Sequence, residues 1–395
     1  MDSTEPVLVA SEGCGVEPWK LHPACRHHTA GVKSIVPAIA IREGSLARLQ
    51  RSMELALNHE TPRIATVRIN MNDLERKPIP QNEETPPMAV ATVAADGGEN
   101  HLHLEPIRIQ VLRVADSNGV VYFEEFIPLS LDPQEIIRFF VASNDLAQWF
   151  LSELQVTWQE LMPRDEYQKS VLMATLRELM EWASVMKLMA SSPRSPVLVI
   201  RDGLLRSITL NRTLFAALKD RLRRYSNETG NYLVGVAKRS AVLNYLSLAI
   251  ALDGVLPVGD AAYVAIPSEL EREATPASYR WASPRSMGQL LLARLCPSGN
   301  LVLPVEIPHW YEASTPAIMQ SLSRDALASF PNPGYPLSLV RAHSQATIGG
   351  MDMRIIEGLF YSEIRRRDPV LAREAAMQAL LGKRLTQRTG DEEDG

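Results

Sequence analysis

Two aspartates each close an apolar run and each precede glycine. MAVATVAAD (88–96) ends at Asp96 before Gly97-Gly98, and SPVLVIRD (195–202) ends at Asp202 before Gly203. Between them, EYQKSVLMATLRELMEWASVMKLMA (166–190) carries Glu178 and Glu181, three residues apart and so on roughly one helix face. Carboxylates are hard oxygen ligands of the kind Mg²⁺ and Mn²⁺ prefer. Two such ions about 4 Å apart can activate water and stabilise the leaving oxygen in phosphodiester cleavage. The glycines allow tight bends and leave room for a phosphate. Glu181 is taken as the third carboxylate, with Glu178 as the alternative. A plainer reading stands beside this one, because Asp-Gly is a common turn pair and Asp253-Gly254 uses it elsewhere.

The elements that must position these groups follow from periodicity. Residues 88–96 read as a buried strand that ends in a sharp turn at Asp-Gly-Gly. IRIQVLRVAD (107–116) and VVYFEEFIPL (120–129) alternate, and Asp116-Ser-Asn-Gly119 joins them as a hairpin. Helices follow from Asp132-Pro133, over 143–161 and over 166–190. Then come a strand at 195–203, a helix at 211–225 and a strand at 231–238. A helix is expected at 44–58 from the spacing of Leu46, Leu49, Met53 and Leu57, further short strands at 261–266 and 301–307, and a last helix at about 369–384. This order predicts an α/β protein with a ribonuclease-H-like mixed-sheet core, flanking helices and an N-terminal extension. In such a sheet the first and fourth strands are neighbours, so Asp96 and Asp202 meet at one edge, and the preceding helix adds Glu181.

The chain is acidic overall, with a net charge of −5, yet residues 201–240 hold nine basic residues against three acidic ones. Arg201, Arg206, Arg223, Arg224, Lys238 and Arg239 in this stretch suit a phosphate backbone, although a solvated helix face at 212–224 explains part of the pattern equally well. Hydrophobic residues make up 46% and charged residues 22%, the profile of an ordinary soluble protein. The three cysteines exclude a disulfide scaffold and suit a reducing cytoplasm. The acidic start MDSTEP is unlike a signal peptide, and the weakly polar run 240–252 is too short to span a bilayer. No phosphate-loop motif and no GxSxG elbow occur, so ATP hydrolysis and α/β-hydrolase chemistry are not expected.

The sequence resembles the NurA nuclease family. The likeness is carried by AVATVAADGGEN (89–100), by LRELMEWASVMKL followed by VLVIRDGLL (198–205), by YLVGVAKRS (232–240), and by GYPLSLVRAHSQATI (334–348). It covers about 88–365. The carboxylate chemistry allows Mg²⁺ as well as Mn²⁺ and suits two ions. The family implies a preferably Mn²⁺-dependent DNase with a ribonuclease-H-like core that forms a toroidal homodimer. It works with the hexameric ATPase HerA in end resection or anti-phage defence. By matching motifs, Asp96, Glu181, Asp202 and His343 are implied as metal ligands, with His343 alternatively on the scissile phosphate and Lys238 on phosphate. Leu204 stands where many members have Ser or Pro. Residues 1–87 match no core motif and are assigned to dimer or partner contacts, 88–365 to the nuclease domain, and 366–395 to a final helix and acidic tail.

Cys14, His22, Cys25, His27 and His28 cluster without a familiar zinc spacing and stay unassigned. His101 and His103 follow Asp96 and read as loop residues or as cleft lining. Two rivals remain. One is a non-catalytic ring-forming adaptor for a translocase, which need bind no Mn²⁺. The other is an RNase or recombinase-type nuclease on the same core.

Overall fold

The apolar and alternating runs of the sequence assemble into one nine-stranded mixed sheet with helices packed on it. The computed structural model describes residues 43–377 apart from 72, 82–88, 90, 105–106, 162–168, 192–195, 239–240, 276–284, 331–332 and 375. Arg239, the Cys14–His28 cluster and the acidic tail lie outside the described residues.

In chain order the elements are α1 (Glu43–Met71), β1 (Arg76–Pro78), β2 (Ala91–Leu104), β3 (Ile107–Asp116), β4 (Val121–Pro128), α2 (Pro133–Ala142), α3 (Asp145–Leu154), α4 (Lys169–Ala190), β5 (Val197–Asp202), α5 (Arg212–Thr229) and β6 (Tyr232–Val236). The chain continues through α6 (Ala241–Asp253), β7 (Ala262–Ala265), α7 (Ser268–Ala274), β8 (Gly288–Arg294), β9 (Leu303–Pro308), α8 (Thr315–Leu327), α9 (Leu337–Ala346) and α10 (Gly350–Arg367). Strand order across the sheet is β1-β7-β8-β9-β6-β5-β2-β3-β4.

The expected neighbourhood of the first and fourth strands is present. β2, β3 and β4 run antiparallel in succession, while β5 pairs parallel with β2 and β6 parallel with β5. Asp132 caps α2 as the Asp-Pro pair suggests. Its side chain accepts from Glu135 N at 2.8 Å, and Glu135 returns the contact to Asp132 N at 3.0 Å.

Three expectations need correction. β2 does not stop at Asp96. It runs on to Leu104, because Gly97 to Leu104 keep pairing with β3 without a break in register. Asp96 and Gly97-Gly98 are therefore mid-strand, and the glycines serve close approach rather than a turn. The helix read at 44–58 extends to Met71 in spite of Pro62. β8, GQLLLAR, was not anticipated, since an unbroken leucine run buried on both faces has no strand periodicity to read.

The main core lies around α2 to α5. In α4, Leu172, Leu176, Leu179, Ala183 and Met186 recur at helical spacing and are all buried. Each such leucine is worth about 1.5–3 kcal/mol on burial, so this stripe fixes the rotation of α4. A second cluster joins Val67 of α1, Leu246 and Ile250 of α6, Leu270 of α7 and Val264, Leu290 and Leu292 of β7 and β8. Among the described residues no helix is long and apolar enough to cross a membrane.

Candidate metal centre

Side chains alternate across a strand, and two consecutive glycines of β2 show what lies on each face. A Cβ on Gly97 would meet Glu181 Oε1 of α4 at 2.5 Å, whereas one on Gly98 would meet the carbonyl oxygen of Ala346, at the end of α9, at 2.0 Å. Helices α4 and α9 thus press on opposite faces of the sheet at this point. Asp96 shares the α9 face with Gly98. On β5, Arg201 registers with Ala95 and faces α4, so Asp202 faces α9.

Asp96, Asp202 and His343 meet on the α9 face. One ligand atom from each lies within 4.8 Å of the others, a group that could hold a metal ion. His343 Nδ1 is 2.8 Å from Asp96 Oδ2. An ionised carboxylate only accepts, so with that form of Asp96 the imidazole Nδ1–H is the donor. Lys238 Nζ, just beyond the end of β6, donates to Asp202 Oδ2 at 3.1 Å. Asp96 and Asp202 are largely buried, while the His343 side chain is 60% exposed, so the group opens to solvent on the histidine side. Burial raises the Asp202 carboxyl above the usual range and repulsion from Asp96 adds to this, while Lys238 and Arg201 oppose it.

Glu181 stands apart from these three. It lies on the α4 face beneath Gly97, where Arg201 Nη2 donates to its Oε2 at 3.2 Å and Arg177 Nε stands 3.5 Å from its Oε1. Burial pushes its carboxyl up to about 7 against the pull of Arg201 and Arg177. Glu178 is engaged elsewhere, accepting from Thr209 Oγ1 and from Trp182 Nε1.

The basic residues expected on phosphate divide into two groups. Arg201 is 8% exposed, stacks on Trp182 and also donates to Leu204 O. Arg206 is 10% exposed and pairs with Glu271 and the fully buried Glu306. Both guanidinium groups are held inside the protein, away from the surface a polyanion would touch. Arg223 and Arg224 are exposed on α5, and Lys238 is partly exposed at the site.

Tyr335 was not singled out from the sequence, although it lies in the same segment as His343. It is buried, the Lys238 ammonium sits 5.4 Å from its ring centroid, and among the described residues its hydroxyl has no hydrogen-bond partner. Burial and the Asp202 and Asp96 carboxylates push that hydroxyl well above the usual tyrosine range. The signal was an aromatic hydroxyl eight residues before the histidine. Tyr335 and Lys238 also line a cavity of about 460 Å³ with Asn300, Leu301, Leu303 and Val340.

The chain is similar to NurA nucleases. It aligns with the solved structure of the NurA nuclease from Sulfolobus solfataricus at 13% identity and TM-score 0.41, covering 82% of this chain and 98% of that one. A second NurA structure aligns at 11% identity and TM-score 0.45, covering 83% and 99%. A NurA structure with manganese aligns at 13% identity and TM-score 0.40, covering 84% and 100%. No protein-family model and no curated protein matches the chain.

Proposed function

We propose that the protein is a divalent-metal-dependent nuclease that hydrolyses DNA phosphodiesters. The observation that carries this reading is the convergence of Asp96, Asp202 and His343, drawn from β2, β5 and α9, on one opening of the sheet. Two carboxylates and an imidazole are a donor set suited to Mn²⁺, with Mg²⁺ as the harder substitute. Asp96, Asp202 and His343 would hold the ion; the sequence resemblance adds Glu181 as a further ligand, and here it lies across the sheet beside Gly97, held by Arg201. When bound, the ion supplies a water of lowered pKa and neutralises charge on the leaving oxygen.

The chain's own groups account for the rest. Lys238 exchanges its contact with Asp202 for a phosphate oxygen of the substrate. Its position over Tyr335 keeps the ammonium at the mouth of the site. Arg223 and Arg224 give a sequence-independent electrostatic hold on the backbone. Arg201 keeps Glu181 in place rather than touching DNA.

The sequence resemblance adds a ribonuclease-H-like description of β2 to β6, a homodimer, and a HerA-type hexameric ATPase as partner in end resection or phage defence. These belong to the proposal, as do the domain bounds 1–87, 88–365 and 366–395. The test is cleavage of end-labelled linear DNA and of RNA of the same sequence, with Mn²⁺, Mg²⁺ or EDTA. Metal-dependent DNA cleavage that disappears in Asp96→Ala is expected. RNA cleaved in preference to DNA, or cleavage surviving in Asp96→Ala, would overturn the reading.

A further inference from the structure

α9 ends directly on the β2–β3 platform, and three residues of that platform grip it. Gly98 leaves the space that the Ala346 carbonyl occupies. Asn100 Nδ2 donates to Ile348 O at 2.9 Å. Arg113, the register partner of Gly98 on β3, donates through Nη1 to Thr347 O at 3.4 Å and reaches Asp352 Oδ2 at 3.4 Å. Arg113 is itself held by Glu124, to which its Nε donates at 2.7 Å. Asp352 in turn accepts from Gly349 N at 3.1 Å, so the same carboxylate caps α10.

These contacts converge on three successive carbonyls, those of residues 346, 347 and 348. They lie within one helical turn or so of His343. Thr347 closes the link, because its N and Oγ1 both donate to His343 O, at 2.9 and 2.7 Å. His343 itself is largely exposed and, among the described residues, its ring makes one hydrogen bond, to Asp96. At 60% exposure the imidazole is mostly outside the core. A side chain so placed depends on where its backbone is pinned.

We infer that Asn100 and Arg113 are positioning residues. They hold the α9–α10 junction on the sheet so that the His343 imidazole stands on Asp96. The inference rests on the metal-site reading for its functional consequence, but not for its geometry. Groups that orient a metal-ligating histidine typically change metal affinity about 10–100-fold when removed. Arg113→Met and Asn100→Ala are therefore each expected to weaken Mn²⁺ binding about tenfold and to leave the fold intact. Gly98→Ala, which collides with backbone, is not used because it threatens folding itself.

The experiment has two arms on the full chain. In metal-free protein, ¹⁵N-histidine NMR, with His343 assigned by His343→Gln, reports the protonated Nδ1 bound to Asp96. That signature is expected in wild type and expected to fade toward a free imidazole in Arg113→Met. Calorimetric Mn²⁺ titration then compares Arg113→Met in the wild-type and His343→Gln backgrounds. About tenfold weakening in the first background and none in the second is expected. An unchanged imidazole signature in Arg113→Met, or equal weakening in both backgrounds, would overturn the inference. A wild type that binds no Mn²⁺ while the signature still fades in Arg113→Met would sink the metal reading and leave the positioning role standing.

Discussion

His343 Nδ1 and Asp96 Oδ2 lie 2.8 Å apart although 247 residues separate them in the chain. Asp96 is mid-strand in β2 and His343 is in the last turn of α9, so the contact exists only because α9 lands on that strand. Asp202 joins them because β5 pairs parallel with β2 up to Ala95 and Arg201, so that each aspartate is the next residue beyond the last paired position. The candidate metal centre is thus a product of sheet order and of one helix docking, and each can be perturbed separately.

Asp202→Asn should separate metal binding from folding. Anything that binds only the folded state stabilises it, by about 2.7 kcal/mol at one hundred times its Kd. Wild type is expected to gain roughly that much from Mn²⁺ in a urea titration. Asp202→Asn should gain almost none and should be at least as stable as wild type in EDTA, since it removes a buried carboxylate repelled by Asp96. Equal Mn²⁺ stabilisation of both proteins would show that Asp202 is not a ligand.

Glu181 should make the metal-free protein sensitive to pH. Its carboxyl is raised from 4.5 to about 7 by burial, so the folded state holds a proton that the unfolded state has already released. The native state then binds more protons between those values, and stability falls as pH rises from about 4.5 to 7. The full shift corresponds to a ceiling of roughly 3 kcal/mol. In EDTA, Glu181→Gln should lose less stability than wild type over that window, which denaturant titrations at pH 5 and pH 8 can measure. A parallel pH dependence in the two proteins would contradict the burial argument.

Gly97→Ala tests the packing of Glu181 against β2. The new Cβ would stand 2.5 Å from Glu181 Oε1, the far end of a flexible side chain, so the helix can stay while the carboxylate moves. A stability loss of about 1–3 kcal/mol is expected from overpacking, together with weaker Mn²⁺ binding from the displaced carboxylate. Calorimetry showing unchanged stoichiometry and affinity would mean that Glu181 takes no part in metal binding.

The arginines should sort by burial. Arg206→Met leaves Glu306 and Glu271 without their buried partner and is expected to cost about 3–5 kcal/mol with DNA affinity of the folded protein unchanged. Arg223→Glu with Arg224→Glu should weaken DNA binding and flatten its salt dependence with stability nearly unchanged. A filter-binding salt series on both variants distinguishes these outcomes; the opposite pattern would return Arg206 to the DNA surface.

Much of the scaffold was legible because its signals are local. The Asp116-Ser-Asn-Gly119 hairpin, the Asp132 cap and the leucine stripe of α4 each state their structure within a few residues. The juxtaposition of Asp96 and Asp202 followed once strand order was read. What was not legible depended on partners distant in sequence. β2 runs past two glycines because β3 pairs with it there. Arg201 and Arg206 look like solvent-facing bases until Glu181 and Glu306 are seen beside them. Glu181 sits on the opposite face of the sheet from Asp96, a fact carried by the alternation of Gly97 and Gly98 in a strand that the sequence ended one residue earlier.

The most direct test is anomalous diffraction from crystals soaked in Mn²⁺, recorded for wild type and for Asp202→Asn. A Mn²⁺ peak bonded to Asp96, Asp202 and His343 in wild type, and absent or much weaker in the variant, is expected. A wild-type map without a peak among these three residues, or with the ion bound elsewhere and indifferent to Asp202, would contradict the assignment of this site as the metal centre.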